Sequence, residues 1–188
     1  VSRDNEFVDK LSIEELALVF STAQTWSEIN PDWPDEQIFR FTPGTDSGTF
    51  DYFVEAIFDK DKEPILNSDN IQFSEDDNVL VQGIIGSPLA IGYFGYAYYL
   101  ENTDSLRIIT IDDVEPTPEN INGNLYPLAR PLFIYSDAAI MRDNPHIAAY
   151  INFFLTYVNE EVEAVGYFAL SQEALEVSML AWLESMDY

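Results

Sequence analysis

The chain has 188 residues, 47% of them hydrophobic and 14% aromatic, which is enough to bury a sizeable core in one domain or slightly more. Eight Lys and Arg stand against 34 Asp and Glu, and this formal net charge of -26 argues against nucleic acid and anionic membrane surfaces as partners. Cysteine is absent, which excludes disulfides, thiol nucleophiles and cysteine metal sites. No apolar run is long enough to span a membrane, so we expect a signal peptide or anchor to be absent or already removed.

The first predicted helix begins at a capping box over residues 12–15, with the sequence Ser-Ile-Glu-Glu. Apolar side chains then recur at the spacing of one helix face, namely Ile13, Leu16, Ala17 and Phe20. Residues 26–34 contain two prolines and predict a loop. Alternation of apolar and polar residues over 37–42 predicts a short strand, which leads directly into a turn of small residues.

That turn is Pro43-Gly44-Thr45-Asp46-Ser47-Gly48-Thr49, and it opens a helix marked by Phe50, Phe53, Val54, Ile57 and Phe58. The first N–H groups of a helix lack intrahelical partners and lie at its positive end. Asp46 or Ser47 as N-cap, Gly48 for close backbone approach and Thr49 as a hydroxyl donor would therefore cradle an oxyanion. From the pattern alone, simple capping of a helix is the favoured interpretation.

Strands and helices continue to alternate after this helix. Ser74 is predicted to open a helix that ends near Gly86, residues 89–94 read as a buried strand, residues 95–99 as a short helix and residues 106–111 as a strand. This order predicts an open α/β sheet flanked by helices.

The last third of the chain is predicted to be mainly helical. Residues 112–124 are polar and contain prolines, which indicates a linker, and residues 126–135 predict a turn followed by a strand. Asn144-Pro145 starts a helix with Ile147, Ile151, Phe154, Leu155 and Val158 on one face. Ser171 caps a final helix carrying Leu175, Met179, Trp182, Leu183 and Met186.

Four stretches, in order, resemble the periplasmic phosphate-binding proteins of ABC transporters, the PstS family. The anion-binding motif over residues 44–53 is joined by residues 11–20 followed by 26–31, by Ala90-Ile-Gly-Tyr-Phe-Gly-Tyr-Ala97, and by residues 126–135 with 166–170. The resemblance implies a type II periplasmic-binding-protein fold, here an open mixed sheet flanked by helices plus a helical C-terminal segment. It implies extracytoplasmic binding of inorganic phosphate for an ABC permease, without catalysis, cofactor or metal.

By the same resemblance, Ser47, Gly48 and Thr49 donate hydrogen bonds to phosphate oxygens. Pro43 stands where many family members have an arginine, so Arg40 or Arg130 remain open as sources of positive charge. Asp46 stands where a glycine is often found. It caps the helix, accepts a hydrogen bond from a proton-bearing phosphate oxygen, or does both, and capping is favoured because Asp is a preferred N-cap.

The resemblance also implies a domain division. Residues 1–115 correspond to the second, anion-binding lobe, and residues 116–188 to a return segment that would pack on a first lobe, which we expect to be missing or supplied by another chain. The return segment is then expected to fold back or to expose apolar surface. The alternative function is an interaction or sensor module that keeps the fold but has lost tight phosphate binding.

Three other groups of residues are weaker candidates for a functional site. Asp59, Asp61 and Glu63 begin like a calcium loop, but Pro64 occupies the position that needs glycine, so we predict a solvated loop. His146, the single histidine, is expected on the surface at a helix start. The tyrosines between residues 93 and 99 are predicted to pack in the protein interior and not to form a sugar platform.

Overall fold

The computed structural model describes residues 1–187, in two compact units. The first unit comprises residues 1–116 and 125–128, and the second comprises residues 117–124 and the chain from residue 129 onward. The strands of the first unit are β1 (Lys10–Leu11), β2 (Phe39–Pro43), β3 (Ile71–Ser74), β4 (Ala90–Gly92) and β5 (Thr110–Ile111). Its helices are α1 (Ile13–Val19), α2 (Gly48–Phe58), α3 (Glu63–Leu66), α4 (Asp77–Ile85) and α5 (Tyr96–Leu100). The second unit contains α6 (Pro118–Asn122), α7 (Ala138–Asp143), α8 (Pro145–Glu161) and α9 (Gln172–Ser185).

The central sheet of the first unit has the strand order β3-β2-β4, and both neighbours run parallel to β2. A second, two-stranded parallel sheet pairs β1 with β5. Because the carboxyl ends of parallel strands lie at one edge of a sheet, the loops after β2, β3 and β4 come together there, which is where ligands bind in open α/β sheets. The α/β fold class predicted from the sequence is confirmed.

Local sequence signals explain where the helices begin. At α1, Ser12 accepts a hydrogen bond from the Glu15 N–H while the Glu15 side chain accepts one from the Ser12 N–H, so the predicted capping box is formed. Ser171 caps α9 by accepting from the Ala174 N–H, also as predicted. These side chains supply partners for N–H groups that the helix itself leaves unpaired.

The core of the first unit lies between the sheet and helices α1 and α2. Trp26, Phe20 and Phe50 are fully buried there, and the Trp26 indole N–H donates to the Leu89 carbonyl at 3.1 Å. Tyr126 packs against this core, and the carbonyl of its neighbour Pro127 accepts a hydrogen bond from the Tyr52 hydroxyl of α2 at 3.3 Å. Residues 125–128 are thus held on the first unit.

The second unit is helical, and several of its large apolar side chains are exposed. On α8 the predicted stripe of Ile147, Ile151, Phe154, Leu155 and Val158 is half-buried, as expected. Several other large apolar side chains of this unit are exposed, among them Leu132, Phe133, Tyr135, Tyr150 and Phe153.

Two predictions about local structure are wrong. The strand expected within residues 126–135 does not form, because no neighbouring strand among the described residues pairs with it and an unpaired strand leaves its backbone groups unbonded. Ser74 does not open a helix. It is the last residue of β3, an element that the sequence analysis missed, and its hydroxyl bonds to the N–H of Asp76, which is the actual N-cap of α4.

Candidate functional site

The candidate site is the turn between β2 and α2. Gly44 follows the last residue of β2 and anchors the turn, because its N–H donates to the Ser74 carbonyl at the end of β3 at 2.9 Å. The Ser47 N–H then donates to the Gly44 carbonyl at 3.0 Å and closes the turn. The strand pairing therefore fixes where α2 begins, at the carboxyl edge of the central sheet.

Ser47 is the N-cap of α2. Its backbone is extended, with φ -79° and ψ 130°, and its hydroxyl oxygen accepts a hydrogen bond from the Thr49 N–H at 3.2 Å. The prediction that Asp46 caps this helix is wrong. Asp46 is exposed and lies one residue too early, because the Gly44–Ser47 hydrogen bond makes it an inner residue of the turn.

The first turn of α2 retains donors that the fold does not use. Among residues 1–187, no oxygen accepts a hydrogen bond from the N–H groups of Gly48 or Phe50, and the Thr49 hydroxyl has no partner either. Gly48 is exposed, while Ser47 and Thr49 are half-buried. The structure thus brings Ser47, Gly48 and Thr49 together at the positive end of an 11-residue helix, with Asp46 beside them.

The Glu75 carboxylate packs against Gly44 of this turn. A Cβ atom placed on Gly44 would lie 1.7 Å from Oε1 of Glu75, so only glycine allows this side chain to rest there. Glu75 follows β3, which places it at the same sheet edge as the turn. The sequence analysis missed Glu75, because Gly44 was interpreted only as a turn residue.

Arg40 does not supply positive charge to the turn. It is fully buried, and its guanidinium donates to the carbonyls of Val19, Ala23, Ile38 and Asp69. Burial lowers the Arg40 pKa to about 10, with smaller opposing effects from Asp69 and Glu28. Its role is to satisfy four backbone acceptors. Arg130, the other arginine considered, belongs to the second unit.

Tyr93 packs against α2 and contacts β2. Its hydroxyl lies 2.5 Å from the buried Thr42 hydroxyl on β2, and its ring stacks on Phe53 of α2 at 3.8 Å between centroids. The Tyr93 ring also makes a T-shaped contact with Phe20, the C-cap residue of α1, at 5.4 Å between centroids. Burial raises the Tyr93 pKa well above its ordinary value. The predicted packing role is confirmed for Tyr93, which contacts β2, α2 and α1.

The remaining candidates are the calcium-like loop after α2 and the single histidine. Within residues 1–187 no group of three or more His, Asp or Glu residues is arranged to hold a metal ion, which includes the predicted solvated loop at Asp59, Asp61 and Glu63. His146 is exposed at the second position of α8, as predicted. No helix among the described residues has both the length and the apolar character needed to cross a membrane.

Comparison with known proteins gives consistent matches. Residues 1–157 match the family described as a PBP superfamily domain. The chain is 36% identical over 188 residues to protein SphX of Synechocystis sp., covering 95% of this chain and 55% of that protein. It is 37% identical over 175 residues to the phosphate-binding protein PstS of Staphylococcus haemolyticus, covering 90% of this chain and 54% of that protein.

The fold is likewise shared with a solved structure. A possible phosphate-binding protein from Planctomyces limnophilus superposes with a TM-score of 0.77 at 34% identity, covering 99% of this chain and 68% of that one. The chain spans about half the length of the curated relatives it matches. Family match, sequence identity and fold agree, and the chain belongs to the PBP superfamily, within the PstS-type phosphate-binding proteins.

Proposed function

We propose that the chain binds inorganic phosphate at the start of α2, as part of the substrate-binding protein of a phosphate ABC transporter. The observation that carries this proposal is the first turn of α2. Its Gly48 and Phe50 N–H groups and its Thr49 hydroxyl have no hydrogen-bond partner within residues 1–187 and lie next to Ser47, in a chain whose relatives include proteins named for phosphate binding.

Phosphate suits this arrangement chemically. Its oxygens accept hydrogen bonds from neutral donors at about 2.7 to 3.2 Å, and the helix dipole favours negative charge at this end. Ser47 and Thr49 contribute hydroxyl groups and Gly48 contributes its N–H without a side chain in the way. Since Ser47 does the capping, the Asp46 carboxylate is left to accept a hydrogen bond from a protonated phosphate oxygen, which sulfate does not offer near neutral pH.

The two parts of the chain take different roles in this proposal. Residues 1–115 form the anion-binding lobe, and residues 116–188 form a segment that packs on a further lobe or another chain completing the cleft. The exposed apolar residues of the second unit, such as Phe133 and Tyr150, support an uncovered packing face. Strong binding of an apolar dye that vanishes when the remaining lobe is added would agree with this division, and no dye binding by the chain alone would contradict it.

The setting of the proposed function is outside the cytoplasm, in the periplasm or anchored outside the membrane, with a membrane permease as the partner that receives the anion. The chain acts by binding and release, without catalysis or a cofactor. Its relatives are named as binding proteins, which supports transport over enzymatic activity.

The test is a calorimetric titration of the chain with phosphate, with sulfate as competitor and Ser47→Ala and Thr49→Ala as variants. Ser12→Ala, which removes the cap of α1, is the matched control. Saturable binding that sulfate does not displace, and that only the α2 variants weaken, is expected. A folded chain that gives no heat with millimolar phosphate would favour the alternative, an interaction or sensor module without tight binding.

A further inference from the structure

An anion at the start of α2 sits on a strongly acidic protein, so a nearby cation would matter to its affinity. Most cations of the first unit are engaged elsewhere. Arg40 donates to backbone carbonyls, Arg3 bonds to the Thr103 carbonyl, Lys10 pairs with Asp113 and Arg107 pairs with Asp9.

Lys62 is different, because its ammonium group lies beside the first turn of α2. Its Nζ is 2.8 Å from Oδ1 of Asp51 and 5.5 Å from the centroid of the Phe50 ring. Phe50 and Asp51 are the third and fourth residues of α2. The Lys62 side chain is 45% exposed, so water and ions reach the ammonium group.

The chain reversal after α2 produces this placement. Asp59 and Lys60 both adopt left-handed backbone conformations, and the Lys60 N–H returns to the Val54 carbonyl at 3.2 Å. This brings Lys62 back alongside the helix it has just left. Asp51 is four residues beyond Ser47, and its N–H donates to the Ser47 carbonyl, so the two side chains share one face of α2.

We propose that Lys62 is the cationic residue of the phosphate site, held on the Ser47 face of α2 by Asp51. This inference rests on the proposed function. One helical turn separates Asp51 from Ser47, about 6 Å along the axis, which is within the Debye length of about 8 Å at physiological salt. The flexible four-carbon stem of lysine also lets the ammonium group leave Asp51 and contact a bound phosphate directly.

The structure contains a matched control for this idea. Lys60 pairs with Glu55 at 3.0 Å, also on the surface of α2, and Glu55 lies one further turn from the phosphate-binding end. Lys60→Gln removes the same charge and breaks the same kind of ion pair as Lys62→Gln. The two variants differ mainly in the distance of the lost charge from Ser47.

The experiment measures phosphate affinity by calorimetry for wild type, Lys62→Gln, Lys60→Gln and Asp51→Asn, at low and high salt. Lys62→Gln is expected to weaken binding about three- to tenfold at low salt, and Lys60→Gln by less than about twofold. Asp51→Asn is expected to tighten binding, because it removes a negative charge and releases Lys62. Lys62→Arg retains most of the affinity, and the differences shrink at high salt.

Because Lys62→Gln is expected to weaken phosphate binding and Asp51→Asn to tighten it, the two variants separate an electrostatic role of Lys62 from a structural one. If the ion pair only stabilised α2, Lys62→Gln and Asp51→Asn would break it equally and would weaken binding together, which would overturn the inference. Equal effects of Lys62→Gln and Lys60→Gln would overturn it as well. A wild-type chain that is folded by circular dichroism but binds no phosphate would refute the proposed function first, and the role of Lys62 with it.

Discussion

Ser47 is both the N-cap of α2 and a proposed phosphate ligand, and two substitutions separate these roles. Ser47→Ala removes the acceptor for the Thr49 N–H and should lower the free energy of unfolding by about 1 kcal/mol. Ser47→Asp keeps a good capping acceptor, so its stability should stay within about 0.5 kcal/mol of wild type. Both variants lose the hydroxyl donor, but only the aspartate adds negative charge.

The loss of affinity expected for Ser47→Asp follows from Coulomb's law. A carboxylate about 4 Å from a phosphate dianion costs about 2 kcal/mol in bulk water and more in a less polar site. Binding should therefore weaken at least about 30-fold, while the helix remains capped.

The assay combines urea unfolding with a phosphate titration of each variant. Ser12→Ala, at the half-buried cap of α1, is the control that should lose similar stability without losing affinity. The reasoning would be refuted if Ser47→Asp kept wild-type affinity. It would also be refuted if affinity merely followed stability across all three variants.

Two further predictions concern the scaffold. Arg40→Met should lower the free energy of unfolding by about 3 kcal/mol or more, because three buried carbonyls and the partly buried Asp69 carbonyl lose their donor; a loss below about 1 kcal/mol in urea unfolding would contradict this. Burial raises the Tyr126 pKa to about 12. The contribution of neutral Tyr126 to the free energy of unfolding is therefore complete below the ordinary tyrosine pKa near 10, and it is lost as the pH rises through 12. Tyr126→Phe should make stability fall less steeply over that range, and an unchanged slope would show that Tyr126 ionises as freely in the folded chain as in the unfolded one.

The sequence predicted the parts of the fold that depend on local chemistry. The capping box at Ser12 and the strand, turn and helix around Ser47 follow from side-chain chemistry and hydrophobic period, and the structure has both. Local sequence signals could not decide whether Asp46 or Ser47 is the N-cap of α2. Both residue types are good caps, and the hydrogen bond from Ser47 to Gly44 decides between them.

Features that depend on distant parts of the chain were missed. Glu75 reaches Gly44 only because β3 pairs with β2, and Lys62 reaches Asp51 only because the chain reverses at Asp59. A strand is predicted within residues 126–135 because the composition suits one, but composition does not supply the neighbouring edge that a strand needs.

The most direct test of the central claim is a phosphate titration of the ¹⁵N-labelled chain, followed through its backbone amide resonances. The amides of Gly48 and Phe50, which have no acceptor within the described residues, should shift downfield and saturate with the affinity measured by calorimetry. The amide of Gln172, at the start of α9, should not move. Small shifts spread over the chain, or saturable shifts elsewhere with Gly48 unchanged, would contradict the account.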